Sequence, residues 1–493
     1  MVVRNTDGRS SVCVRRDSRQ DAYGTRINGE KRNSFVLSWV VVILTFAGLW
    51  GGAAPALGDA SSPAILIAGI RGGSGRPSYQ VLTGSTFGSS QNLPEALGQC
   101  PWIRAANDPT RNQTIGVFMD EALMLQTSVF DGSTWTTPVL LTSAAGDNAQ
   151  RRTFDLHVGN SGLFLVVYWD SNQTSGLRFR TISGNGGATT FDGTVATLPA
   201  SQIGSPSVQA RWIALAGRPC EDRAVLTLVD SDGRIFAAIW SGSSFGSLTQ
   251  LTASASTTLY ECFAGAIEGV SGDPLVVYAK SDGSVVSRTF SSGAWQAEQT
   301  VAWPGSSLVN WLRLTTRSTD NTVLGAGHDA AGNIGFNRWD GTQWQASGEQ
   351  LATGLTNAAR PQFDIEFTPD GSSATLLYNQ SGVGTVYYKN FSGTTWSAEM
   401  TSSGGSQIWA AGGLFHGASG ASLWALWVPA GSRFFTTGFS GASVSAGLVQ
   451  QAGLLMGGQA TLPFDLVVPR SVVTPCPVAS KPKLTKWETA SPR

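Results

Sequence analysis

One feature restricts this chain more than any other: a short turn motif that recurs at almost constant spacing. An aromatic residue, a small polar residue, a Gly and a second aromatic or β-forming residue follow one another in "LTGSTF" from Leu82, "FDGSTW" from Phe130, "FDGTVA" from Phe191 and "WSGSSF" from Trp240. The series continues with "FSSGAW" from Phe290, "WDGTQW" from Trp339, "FSGTTW" from Phe391 and "FSGASV" from Phe439. Successive starts lie 48, 61, 49, 50, 49, 52 and 48 residues apart. Independent turns do not space themselves so evenly, and a period near 50 in a strand-rich chain means a stacked or radial array of one structural unit. The single long gap contains "SGNGGATT", residues 183 to 190, which reads as a loop insertion.

One unit, residues 211 to 251, holds four short apolar runs, "WIALAG", "AVLTLV", "RIFAAIW" and "SLTQL", separated by Gly-, Pro- or Asp-rich turns. The next unit repeats the order. Four antiparallel strands in about 50 residues make a propeller blade. The second run is the most continuously apolar, as a strand covered on both faces requires. The motif then spans the hairpin between the third and fourth strands. Its Gly supplies a positive φ, and its two aromatics pack across the turn and onto the neighbouring blade. Eight motifs predict an all-β propeller of eight four-stranded blades, with seven as the alternative. The first unit lacks an inner strand. "TLPFDLVV", residues 461 to 468, resembles the inner strands "TFDLHV" and "QFDIEF", so the C-terminal segment is expected to complete blade one and close the ring. Closure of this kind removes exposed sheet edges.

Composition agrees with this. Charged residues are 13% of 493, Gly numbers 59 and Trp 17, which is too apolar and aromatic for a disordered chain. Net charge is zero, yet residues 1 to 33 carry eight Lys or Arg against four acids, so the remainder has 25 basic and 29 acidic residues. A duplex nucleic acid needs a clustered basic surface, and a remainder that is net acidic argues against that role. The expected organisation is a basic segment at 1–33, a signal peptide or membrane anchor at 34–58, a propeller at 64–468 and a disordered tail at 469–493. The uncharged run "SFVLSWVVVILTFAGLWGGAAPAL" follows Arg26, Lys31 and Arg32 and ends in small residues, the pattern of an export signal. It is also near spanning length, so an uncleaved anchor is the rival. Either way the rest is exported, secreted or held at the cell surface, with the membrane touched only through this segment and the propeller a monomer.

The motif resembles the Asp-box of sialidase-like propellers, which occupies the same hairpin, although Asp131, Asp192 and Asp340 adjoin the Gly directly. "SDGRIFAAIWSGSSF" and "AAGNIGFNRWDGTQW" also resemble the repeats of fucose-type propeller lectins. The resemblance covers most of residues 64 to 468 as architecture. It implies that the hairpin motif is scaffold and that a glycan or protein ligand binds on the central face, where inner-strand ends converge. Five inner strands place an arginine there: Arg104, Arg152 (beside Arg151), Arg211, Arg313 and Arg360. Sialidase-like enzymes hold a substrate carboxylate with three arginines, and the guanidinium fork suits that task. The competing expectation is that these arginines pair with Asp155, Asp364 and other acids between blades.

A sialidase-type reaction also needs an acid and a Tyr–Glu nucleophile pair, and no positions here match them. His157, His328 and His416 are far apart, and Cys13, Cys100, Cys220, Cys262 and Cys476 follow no metal-binding spacing. No cofactor or metal is expected. Four sequons, at Asn112, Asn172, Asn379 and Asn390, matter only if the exported chain is glycosylated. The leading expectation is a non-catalytic exported propeller that binds a glycan or a protein. A sialidase-like glycoside hydrolase and a structural protein of the cell envelope are the alternatives.

Overall fold

The computed structural model describes residues 65–68, most of 76–403, and the strands at 409–410, 421–428, 433–440, 443–451 and 464–467. Short gaps within 76–403 include 192–195, 198–207, 219–220 and 356–360. The segments at 1–33, 34–58 and 469–493, together with Arg360, Asp192, Asn112, His416, Cys13, Cys220 and Cys476, lie outside the described residues.

The described strands form eight small antiparallel sheets and no helix. Sheets two to eight begin with Trp102–Asn107, Phe154–Val158, Ala210–Gly217, Phe263–Ile267, Val309–Thr316, Phe363–Phe367 and Trp409–Ala410, and each then adds strands in chain order. Sheet one differs: Ile65–Ala68 pairs with Ser78–Thr83 on one side and with Phe464–Val467 on the other. The register Ile65↔Val467 to Ala68↔Phe464 makes the C-terminal strand its first. First strands pack in succession, from 464–467 onto 102–107, then 154–158, 210–217 and onward to 409–410. Small sheets arrayed about their first strands are the architecture of a β-propeller.

The second strands are buried along their whole length at Thr114–Met119, Phe164–Trp169, Ala224–Asp230, Pro274–Ala279, Val323–Asp329 and Ala374–Asn379. Their near-continuous Val, Leu, Ile and aromatic content fits a strand with a sheet on either side. "SGNGGATT" differs from the expected loop. Ser183–Asn185 and Ala188–Thr190 pair with each other, so the extra residues lengthen a hairpin of sheet three.

The hairpin motif packs as its aromatics predict. Phe130 and Trp135 lie 5.5 Å apart across the turn, and Tyr79 of sheet one contacts both. Trp344 donates its indole N–H to Ser287 of sheet five, and Trp339 donates to Glu268 at 2.7 Å. Asp131 Oδ1 accepts the amides of Ser133 and Thr134 and the Ser133 hydroxyl at 2.7–2.8 Å. The Thr134 amide bond and those to Ser133 hold its carboxyl down at about 2. Gly132 takes φ 99°, which a side chain rarely adopts. "FSSGAW" has the same length but carries its Gly one place later, and there Ser292 and Gly293 both take positive φ, the backbone of a tight two-residue hairpin turn.

Candidate functional site

The first strands alternate in kind. At matching register positions, sheets two, four and six carry Trp102, Trp212 and Trp311, each level with the end of the second strand (Met119, Val229, His328). Sheets three, five and seven carry Phe154, Phe263 and Phe363, each opposite a tyrosine, Tyr168, Tyr278 or Tyr378. The three tryptophans belong to sheets that are not neighbours, yet they touch. Trp102 meets Trp212 edge-on at 5.5 Å and 86°, and Trp212 meets Trp311 at 5.4 Å and 82°. A β-bulge immediately before Trp212, and another before Trp311, re-aims each indole. All three are buried, so this end of the central channel, its mouth, is floored by indoles.

Directly beneath the indoles runs a chain of ion pairs. Arg104 Nε lies 3.2 Å from Asp155, Asp155 lies 2.8 Å from Arg152, Arg152 lies 2.6 Å from Glu261, and Glu261 lies 3.1 Å from Arg313. Four sheets are linked by these five side chains. The levels follow from the backbone: Ile213 N–H donates to Arg152 O, and Leu312 N–H donates to Glu261 O. The Arg152 side chain is only 2% exposed. Burial alone would raise the Asp155 carboxyl, but Arg152 and Arg104 outweigh it and hold Asp155 below the ordinary carboxylate range.

Four of the five expected arginines, Arg104, Arg152, Arg211 and Arg313, are described, and each is already matched to a carboxylate. Arg211 pairs with Asp147 at 2.7 Å, and Arg151 shares that acid at 3.1 Å. His157 and His328 are buried and separate. Among the described residues, no group of three or more His, Cys, Asp or Glu is placed to hold a metal ion. Cys100 and Cys262 are buried free thiols, and burial pushes both up.

A second polar feature was not anticipated. In sheet five the Tyr278 hydroxyl donates to Glu298 at 2.9 Å, while Lys280 holds the other Glu298 oxygen at 3.1 Å. In sheet seven the Tyr378 hydroxyl donates to Glu399 in the same way. Each pair has a cation two places along the cross-strand register, Arg288 opposite Val276 and Lys389 opposite Leu376. Extending the outer-strand register by one residue puts Glu298 opposite Arg288 and Glu399 opposite Lys389. Sheet three holds Tyr168 and Arg180 at the matching positions. Burial, then the bonded glutamate, drives both Tyr278 and Tyr378 far above the usual phenol range. They remain neutral hydrogen-bond donors. Tyr278 and Lys389 also face the outer strand of the preceding sheet, at the carbonyls of Leu251 and Leu351. These clusters therefore sit in the side wall between sheets four and five and between sheets six and seven.

No family model and no curated protein matches the chain. Solved structures do. The BP39L lectin from Burkholderia pseudomallei is 13% identical, with 72% of this chain and 98% of the lectin covered and a TM-score of 0.47. A mutant of the Aleuria aurantia lectin is 13% identical, with 64% and 98% covered and a TM-score of 0.38. The dihydro-heme d1 dehydrogenase NirN is 12% identical, with 80% and 73% covered and a TM-score of 0.50. At 12% identity the likeness to NirN, at a TM-score of 0.50, is one of fold alone.

Proposed function

We propose that this protein is an exported, non-catalytic propeller of eight blades, closed by the pairing of Phe464–Val467 with Ile65–Ala68, that binds glycans. The observation that carries this reading is the repeated tyrosine–cation–carboxylate cluster of sheets five and seven, with Tyr278, Arg288 and Glu298 answered by Tyr378, Lys389 and Glu399. A catalytic site is a single constellation. A polar cluster repeated at the same register, about 100 residues on, is the signature of repeated binding positions. Each cluster presents a charged acceptor and a charged donor side by side, and both glutamates are exposed. That pairing suits adjacent hydroxyls, which donate to a carboxylate and accept from a guanidinium or ammonium group.

The sialidase-like alternative is disfavoured at the mouth. Arg104, Arg152, Arg211 and Arg313 would have to release Asp155, Glu261 and Asp147 before gripping a substrate carboxylate. In the reading preferred here these arginines frame the central face. The test is an array of neutral and acidic glycans probed with residues 59–493. Saturable binding that falls when Arg288→Ala and Lys389→Ala are introduced supports the reading. Silence across the array, with a folded protein, would transfer the weight to a protein ligand or an envelope role.

A further inference from the structure

The mouth carries an aromatic and apolar patch that the side-wall clusters do not explain. Leu259 is 55% exposed and Leu308 is 37% exposed, whereas large apolar side chains are otherwise hidden on this face among the described residues. Next to Leu259 in sequence is Tyr260, partly exposed, its ring tilted 36° against Trp311 at 5.6 Å. The Arg313 guanidinium sits 6.0 Å from the same indole.

Exposure here does not come from a loose loop. The Leu259 amide donates to Thr257 Oγ1 at 2.9 Å, and the Cys262 thiol donates to Thr257 O at 3.3 Å. Ser256 Oγ donates to Val309 O at 2.7 Å, which fastens this connection beside Leu308 on the next. The apolar surface is held out by a pinned turn, so a ligand meeting it has little ordering cost to overcome.

From this we infer that the mouth is a stacking platform for a sugar ring whose hydroxyls are equatorial, such as a β-1,4-linked glucose unit. The ring's C–H face covers Tyr260 between Leu259 and Leu308, and its hydroxyls reach Thr257, Thr258 and Arg313 at the edge. Size decides between a sugar and a protein. A protein partner buries roughly 800 Å² on each side, and two leucines with one tyrosine face offer far less. This inference rests on the glycan-binding reading but uses different residues.

The experiment is calorimetric titration of the full-length protein with cellohexaose. Tyr260→Ala is expected to weaken binding at least tenfold, and Leu259→Ser severalfold. Tyr260→Trp should bind as tightly as the parent, which guards against a folding defect in the alanine variant. Asp131→Asn, in a scaffold hairpin, should leave cellohexaose affinity within twofold. No saturation by the parent protein at millimolar cellohexaose, or parental affinity in a folded Tyr260→Ala, overturns the platform. So does a folded Tyr260→Trp that binds tenfold more weakly. If the side-wall variants abolish cellohexaose binding while Tyr260→Ala does not, the platform fails and the side-wall reading stands. The opposite pattern supports the platform, and the side wall is then judged by the glycan array rather than by cellohexaose.

Discussion

Glu261 is the side chain whose loss should be felt most. It accepts from Arg152 at 2.6 Å and from Arg313 at 3.1 Å, and both Glu261 and Arg152 are almost wholly buried. Replacing it with alanine leaves two guanidinium groups facing each other without their shared carboxylate, in a layer roofed by indoles. Removing one partner of a buried pair typically costs about 3–5 kcal/mol when the remaining charge is uncompensated, and because Arg152 keeps Asp155 at 2.8 Å the loss here is expected toward or below the lower end of that range. The matched control is Arg211→Ala. Its pair with Asp147 has side chains 21% and 29% exposed, and pairs of that kind contribute about 0–1 kcal/mol. Urea unfolding at pH 7, followed by tryptophan fluorescence, should show a large fall in midpoint for Glu261→Ala and a small one for Arg211→Ala, with unchanged slopes. A double replacement, Arg152→Met with Glu261→Leu, should recover much of the loss, since well-packed apolar residues can substitute for a buried pair. Equal small effects for Glu261→Ala and Arg211→Ala would refute the argument. A gain in stability on removing Arg152 alone would do so too, and would mark the arginines as strained ligand-binding groups.

Four further outcomes follow from the same reasoning. Trp339→Ala removes a buried indole and its bond to Glu268, so a loss of about 3–5 kcal/mol is expected with glycan affinity unchanged; selective loss of binding in a fully stable variant contradicts it. Deleting residues 461–493 removes the strand paired with Ile65–Ala68 and should markedly lower the melting temperature, so unchanged melting sinks the closure. Asp131 has a folded value of about 2 against an ordinary 3.8, so its contribution is present above about pH 4 and is lost as pH falls through about 2; Asp131→Asn should flatten the acid limb of stability, and an identical limb disproves the role. Leu123 sits at φ 66° where the corresponding turns use Gly233, Gly283 and Gly332, a strain of roughly 1–2 kcal/mol. Leu123→Gly should therefore be tolerated better than Leu123→Ala, and the reverse order in thermal melts would show that packing, rather than backbone, governs this turn.

What was legible in the sequence is what depends on short-range pattern. The hairpin series located the third and fourth strands because the turn needs Gly and the flanking aromatics need each other. The continuous apolar runs located the second strands, since a strand covered on both faces has no polar side. "PFDLVV" could be matched to "TFDLHV" because both are first strands. The arginines were found at first-strand starts, and one expectation placed Asp155 among their partners. Glu261 as the bridge between Arg152 and Arg313 was not foreseen, because it joins sheets three, five and six across the channel. The tyrosine–glutamate pairs were missed for a related reason. Tyr278 and Glu298 are 20 residues apart, one on the second strand and the other just before the outer strand Gln299–Val301, so only the register of the intervening strand reveals that they meet.

The 50-residue repeat also hides a longer one. Sheets two, four and six start their inner strands with Trp102, Trp212 and Trp311, and Trp409 holds the corresponding register position opposite Trp427 in sheet eight. Sheets three, five and seven use Phe154, Phe263 and Phe363, and Phe464 takes that place in sheet one. The turns after the second strands follow a related rhythm: Asp120, Asp230 and Asp329 directly follow the residue paired with the Trp in even sheets, and Tyr168, Tyr278 and Tyr378 pair with the Phe in odd ones. The physical cause is space at the axis. Sheets two, four and six each send one large indole inward, sheets three, five and seven supply a smaller ring, and the charged side chains beneath come from both sets, Arg104 and Arg313 from the former and Arg152, Asp155 and Glu261 from the latter. An even sheet followed by an odd one is therefore the unit that is complete in packing, and the side-wall clusters lie at the junction inside that unit. A chain built by repeating such pairs multiplies one side-wall cluster without repeating it in every blade, so that divergence between adjacent repeats and recurrence between alternate ones coexist.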